Sequence, residues 1–204
     1  MIRTLAQGSL AVAALAAVVA FRAAAASPTP QAPAQTAAQT APAAAPAFTL
    51  TSPSFEDGGV IPAAFTQLVP DPKTPGMAWD QVPAGTVSFV LLAHDPDVSI
   101  GRSADDNMHW LVINIPGSAR QLPEGQPPTT ALPGGGIQLK NTRGSIGYRA
   151  PAAPAQGPYH HYVFELFALD VALALSPDAA RGDVVEAMKG HVIGKATTVG
   201  RFHK

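Results

Sequence analysis

The chain has 204 residues, of which 47% are hydrophobic and only 13% carry a formal charge. Its formal net charge at pH 7 is −1, and the sequence shows no basic stripe of the kind that nucleic-acid binding requires. It has no cysteine, so neither a disulfide framework nor a thiolate zinc site is available to it.

Residues 1–26 show the layout of a secretory signal peptide. Arg3 precedes the apolar run LAVAALAAVVAF, at residues 10–21, and small alanines follow at residues 24–26. The run has about a dozen residues, whereas a membrane-spanning helix needs about 20. We therefore predict cleavage and export to the periplasm or the medium, with no transmembrane segment left afterwards. An uncleaved anchor is the alternative, because Arg22 lies between the run and the predicted cleavage site.

Residues 27–47 are predicted to form a disordered linker. The segment contains only Ala, Pro, Gln, Thr and Ser, which offer little apolar surface to offset the entropy of ordering the chain. Residues 48–204 then remain as one globular domain, long enough to bury a sizeable core.

Apolar runs of strand length, separated by Pro and Gly, recur along this domain and predict a mainly β fold with minor α content. β-Branched and aromatic residues fit a pleated sheet, and the runs are too short for most helices. The predicted strands cover residues 48–51, 77–79, 87–93, 110–115 and 162–169.

One helix is predicted late in the chain. Ser176 resembles an N-cap residue and Pro177 suits the first helical position. Val184, Val185 and Met188 supply an apolar stripe for such a helix. We expect the helix to cover an edge or a face of the sheet.

Polar residues flank the strongest predicted strands. Asp95 and Asp97 follow the strand VSFVLLA, and Pro96 between them ends that strand because it cannot continue a central ladder. His109 directly precedes WLVINI, and His160 lies two residues before the start of the predicted strand of residues 162–169. These groups are expected to share one rim of the sheet.

Strand alternation divides the residues around His160 between two faces. His160 and Tyr162 are two positions apart and fall on the same face, whereas His161 falls on the opposite one. We therefore expect His160 and Tyr162 to act together, without His161.

At these positions the sequence resembles the phosphatidylethanolamine-binding protein family, in its bacterial Raf kinase inhibitor-like branch. The resemblance rests on FTLTSPSFEDGGVIPAAF, MAWDQVPAGTVSFVLLAHDPD, HWLVINIP, GPYHHYVFELFALD and the predicted helix VVEAMKGHVIG. DPD followed by HW, and the pattern G-x-x-H-x-Y, are the family's signatures. The resemblance implies an antiparallel, sandwich-like fold with a C-terminal helix covering the sheet.

The resemblance also implies a small pocket for phosphate-like anions and no cofactor. Asp95, Asp97, His109, His160 and Tyr162 would line it, with Tyr148 and Pro151 on its wall.

Two positions depart from the family's pattern. His161 replaces an arginine, which predicts a lost structural ion pair, and Met108 replaces an aromatic residue, which predicts an altered pocket rim.

The chemistry of these side chains suits an anion. Two imidazoles and the Tyr162 hydroxyl can donate hydrogen bonds to phosphate oxygens, and a neighbouring carboxylate favours the charged histidine. Binding is then expected to strengthen towards mildly acidic pH. The implied function is a non-enzymatic binding protein for a phosphate-bearing small molecule or lipid head group, with an envelope protein as a further partner.

Other interpretations of the same residues remain open at this point. Asp95, Asp97, His109 and His160 offer oxygen and nitrogen ligands that zinc would accept, so a metal-assisted hydrolase of a small ester or phosphoester is the alternative function. The histidines could instead be hydrogen-bonded structural residues, and the aspartates could cap a turn.

Overall fold

The computed structural model of the chain describes residues 47–204. The predicted signal peptide, residues 1–26, lies outside the described residues. So does the predicted linker, residues 27–47, apart from its last position.

Eight strands form two antiparallel sheets. In chain order they are β1 (Thr49–Thr51), β2 (Met77–Asp80), β3 (Ser88–Asp95), β4 (Asn107–Pro116), β5 (Gln121–Leu122), β6 (Ile137–Gln138), β7 (His160–Leu169) and β8 (Val192–Phe202). The smaller sheet has the order β1-β2-β5, and the larger has the order β6-β4-β3-β7-β8. A 3-10 turn (Ala63–Phe65) and one helix, α1 (Arg181–Ala187), complete the described elements. The predicted mainly β, antiparallel fold is confirmed.

The main core lies between the two sheets. Trp79 of the smaller sheet packs edge-on against Phe89 of the larger, with ring centroids 5.3 Å apart. Leu50 and Met77 of the smaller sheet and Leu166 of the larger sheet are buried in the same core. The alternate residues of β7 that face this core are apolar, as a half-buried strand requires.

A second core lies on the opposite face of the larger sheet, beneath α1. Val184 of the helix and Met188, the residue that caps its C-terminus, are buried there against strand residues such as Leu92 and Leu111. The expectation that a helix covers the sheet is therefore confirmed. Val185, the third residue of the predicted stripe, is 44% exposed.

The helix begins later than Ser176 and Pro177 suggest. The Ser176 carbonyl and hydroxyl accept hydrogen bonds from the backbone of Ala179 and Asp178, which closes an isolated turn. The helix itself begins at Arg181, where the Asp183 carboxylate accepts the Ala180 N–H at 2.9 Å. A serine can accept backbone hydrogen bonds in a turn as well as at a helix N-cap, and Ser176 does so in a turn.

Strand β8 is absent from the sequence prediction, although with 11 residues it is the longest in the described part of the chain. Its inward positions include Ala196, Thr198 and Gly200, which are too small or too polar to produce an apolar alternation. Its first residues were also assigned to the helix VVEAMKGHVIG, which in fact ends at Ala187.

Candidate functional site

Polar side chains from three strands meet at one edge of the larger sheet. Antiparallel pairing places the end of β3 beside the starts of β4 and β7: Asp95 pairs with Asn107, and His94 pairs with Val163. A cavity of about 160 Å³ opens at this edge. Asp95, Asn107, His109, His160 and Tyr162 line it from the strands. Arg143, Arg149 and residues 152–154 line it from two loops.

A β-bulge turns His109 towards this cavity. Ala93 pairs with Trp110 and His94 pairs with Met108, so His109 is an extra residue without a partner on β3. In a regular strand His109 and Trp110 would face opposite sides, but a bulge can place two consecutive residues on one side. The ring of His109 therefore packs edge-on against Tyr162 in the main core, with centroids 5.1 Å apart.

The partly buried His160 and the buried Asp95 form a hydrogen-bonded pair in the cavity wall. The Nδ1 atom of His160 lies 2.8 Å from Oδ2 of Asp95, whose side chain is only 3% exposed. The other carboxylate oxygen of Asp95 accepts the backbone N–H of Asp97 at 3.0 Å. Because the carboxylate fixes the proton on Nδ1, Nε2 of His160 is left free for a ligand.

His109 is held as a neutral ring by its own neighbours. Its Nδ1 donates to the carbonyl oxygen of Arg149 at 2.6 Å, and its Nε2 accepts from the amide of Asn107 at 2.9 Å. Burial lowers the pKa of His109 to about 4. The expectation of two imidazole donors is therefore wrong for His109, which shapes the cavity wall and carries no charge at mildly acidic pH.

Tyr162 stays a neutral hydroxyl over the physiological range. Burial raises its pKa to about 12, and the nearby carboxylate of Asp95 acts in the same direction. Its O–H therefore keeps its proton at neutral and mildly acidic pH, where it can donate to an anion.

Two arginines, which the sequence analysis did not single out, supply positive charge to the cavity. Within residues 47–204 neither guanidinium group forms a side-chain hydrogen bond or an ion pair. Burial lowers the pKa of Arg149, and the nearby charge of Arg143 lowers it further. They are also the only basic residues between positions 141 and 158, which was a signal available in the sequence.

The loop that carries Arg143 is fixed to the sheet by a buried asparagine. Oδ1 of Asn141 accepts the backbone N–H of Arg143 at 3.0 Å, and its Nδ2 donates to the carbonyl oxygen of Gly147. The backbone of Thr142 donates to the carbonyl of Met108 in β4. Arg143 therefore lies on a loop whose backbone is held by hydrogen bonds, although its own side chain is exposed.

Three residues predicted to belong to the pocket lie outside its walls. The carboxylate of Asp97 accepts hydrogen bonds from the backbone and ring of His161. The hydroxyl of Tyr148 donates to the carbonyl oxygen of Phe65 at 3.1 Å, while its ring packs on Trp110. The remaining one, Pro151, is buried, and its carbonyl accepts the backbone N–H of Gln67.

Neither His161 nor Met108, the two departures from the family pattern, has the consequence predicted from the sequence. The side chain at position 161 still has an acidic partner, because Nδ1 of His161 lies 2.9 Å from Oδ2 of Asp97. Although burial opposes ionisation of Asp97, the hydrogen bonds from His161 outweigh it and lower the pKa of the carboxyl. Met108 is buried in the second core, on the face away from the cavity, so it does not change the rim.

The donor set does not resemble a metal centre. Among residues 47–204, no group of three or more His, Asp or Glu side chains converges as a set of metal ligands. Asp97 is occupied by His161, and both ring nitrogens of His109 are already hydrogen-bonded. The same part of the chain contains no helix that is long and apolar enough to span a membrane.

Comparison with known proteins gives consistent matches over the described domain. The family model described as phosphatidylethanolamine-binding protein matches residues 51–203. A UPF0098 protein of Methanothermobacter thermautotrophicus is 37% identical over 155 residues, which cover 76% of this chain and 98% of that protein. A candidate lipoprotein of Mycobacterium tuberculosis, LppC, is 34% identical over 76% of this chain and 71% of its own length.

A solved structure shares the fold. It is the crystal structure of CT736 from Chlamydia trachomatis, described as a candidate homologue of phosphatidylethanolamine-binding protein. It is 33% identical and has a TM-score of 0.69, with 78% of this chain and 98% of that chain covered.

Proposed function

The chain belongs to the phosphatidylethanolamine-binding protein family, and we propose that it is a binding protein whose cavity takes small ligands carrying a phosphate group. Such ligands include a phospholipid head group, a phosphorylated small molecule or a phosphorylated side chain. The proposal assigns the cavity a binding role and no catalytic one.

The observation that carries the proposal is the pair of arginines at the cavity. Arg143 and Arg149 both line it, and neither has a carboxylate partner within residues 47–204. Guanidinium groups bind phosphate through paired, charge-assisted hydrogen bonds, and such bonds are about twice as strong as neutral ones. An anion between the two groups would relieve their mutual repulsion.

Two further donors support an anion in the same place. Nε2 of His160 and the hydroxyl of Tyr162 are both available in the cavity. Its volume of about 160 Å³ is well below the ~300 Å³ at which clefts for drug-sized ligands begin. A site of this size suits a head group and excludes most of a lipid's acyl chains.

Export is part of the proposal. It is supported by the signal layout of residues 1–26 and by the similarity to a candidate lipoprotein of M. tuberculosis. In the periplasm or outside the cell, the chain would meet envelope phospholipids and phosphorylated small molecules. A phosphorylated side chain of an envelope protein would fit the same cavity, and its capture would inhibit that partner.

Calorimetric titration with phosphoethanolamine tests the proposal. We expect saturable binding to the purified chain, and a loss of affinity of about 10- to 100-fold when Arg143→Gln and Arg149→Gln are combined. Arg120→Gln is the matched control, because its exposed side chain donates only to the carbonyls of Gly117 and Ala119, away from the cavity. No binding by the wild-type chain would overturn the function. Undiminished binding by the double variant would overturn the role of the arginines.

A further inference from the structure

The free nitrogen of His160 can play either hydrogen-bonding role towards a ligand. Asp95 holds the proton of the ring on Nδ1, so Nε2 accepts a hydrogen bond when the ring is neutral and donates one when the ring is charged. A terminal phosphate has a second pKa of about 6, so near neutral pH it can present either P–OH or P–O⁻ to this atom. A phosphodiester has no P–OH and can only accept.

The charges of the cavity also match a terminal phosphate. Arg143 and Arg149 contribute two positive charges, and the charged form of the His160 ring offsets Asp95, the single carboxylate among the lining residues. A phosphomonoester carries about −1.5 to −2 at pH 7. A diester carries one negative charge, which leaves the charge of one guanidinium without compensation.

The closed end of the cavity adds a steric reason. Asp95, His109 and Tyr162 are each 2% exposed, and they form the inner walls of the cavity. A terminal phosphate can turn three unesterified oxygens inward and direct its single ester oxygen towards the opening. A diester has only two unesterified oxygens to turn inward, and both of its carbon chains must then leave together through the opening.

On the basis of the proposed anion-binding function, we infer that the cavity selects terminal phosphate groups over the phosphodiester of an intact phospholipid head group. Its ligands are then inorganic phosphate and phosphomonoesters, whether they come from head-group breakdown or from phosphorylated small molecules. His160, Arg143 and Arg149 act together as the specificity-determining residues.

A pair of probes that share the same amine tests this selectivity. Phosphoethanolamine carries a terminal phosphate, and glycerophosphoethanolamine carries the same amine on a diester. Titrated calorimetrically into the purified chain at equal pH and ionic strength, phosphoethanolamine should bind about 10- to 100-fold more tightly. Inorganic phosphate should also bind, which separates recognition of the phosphate from recognition of the amine.

Variants assign the selectivity to the residues named. Arg143→Gln should reduce the affinity ratio between the two probes at least about threefold, because the second positive charge is lost. Arg120→Gln should leave the ratio unchanged. Equal affinity for the two probes, or tighter binding of the diester, would overturn the selectivity and leave the proposed anion-binding function standing. If neither probe bound, the proposed function itself would be wrong.

Discussion

His160 and Asp95 are 65 residues apart in the sequence and 2.8 Å apart in the fold, joined by a hydrogen bond from the ring to a buried carboxylate. The bond orients the imidazole and leaves its second nitrogen on the cavity side. Its neighbour His161 bonds instead to Asp97, and this pair is half-exposed outside the cavity walls.

The two adjacent histidines provide a matched pair of variants. We expect His160→Ala to weaken phosphoethanolamine binding about tenfold, because it removes one ligand-facing donor. His161→Ala should leave the affinity within about twofold, since that ring faces the other side of the strand. Calorimetric titration of both variants checks the assignment. Equal losses for the two would show that the strand does not separate their roles.

The neutral state of His109 predicts a dependence of stability on pH. Its pKa is about 4 in the fold, against 6.5 for an unperturbed histidine. Between these values the unfolded chain binds a proton that the native chain does not, so the free energy of unfolding falls as the pH falls from about 6.5 to 4. His109 alone should account for about 2 kcal/mol of the loss between pH 7 and pH 4.5.

Urea unfolding of His109→Gln at the two pH values measures this contribution. The loss of stability on acidification should be smaller in this variant by about 2 kcal/mol than in the wild-type chain. His191→Gln is the control, because that histidine is half-exposed beside Asp170. The same loss in His109→Gln as in the wild-type chain would mean that His109 is protonated in the native state.

Neighbouring valines of α1 test how the helix covers the sheet. Val184 is fully buried against the larger sheet and Val185 is 44% exposed. Val184→Ala should lower the free energy of unfolding by about 2 kcal/mol, through lost burial and a cavity. Val185→Ala makes the same change of side chain and should alter stability by less than about 0.5 kcal/mol. A comparable loss in both variants, measured by urea unfolding, would contradict the packing described.

The sequence predicts the fold where side chains are large and apolar. The strands around Phe89, Trp110 and Phe164 are marked by their own residues, because these side chains fill the main core. The inward face of β8 carries the small residues Ala196, Thr198 and Gly200, which let other groups approach the strand: a Cβ on Gly200 would lie 2.4 Å from Ile61. Strand β8 is therefore recognised in the structure by its pairing with β7, because its own sequence shows no apolar alternation.

Strand alternation predicts part of the arrangement of the candidate site. His160 and Tyr162 share a face, as the period of two requires, and the structure brings them together with Asp95 and His109. The bulge at His109 arises from a shift in the pairing register between β3 and β4. The residues of β4 alone do not predict this shift. Arg149 lies in a loop, where neither the side-chain period of a strand nor that of a helix applies. Asp97 lies two residues beyond the last residue of β3, and its carboxylate bonds to His161, which faces the opposite side of β7.

The position of the anion can be seen in a crystal structure grown with phosphoethanolamine. We expect phosphate density in the cavity between the guanidinium groups of Arg143 and Arg149, with one oxygen within hydrogen-bonding distance of Nε2 of His160. The ethanolamine should point towards the opening. A cavity that holds only water while phosphoethanolamine occupies another surface would show that this cavity is not the anion site.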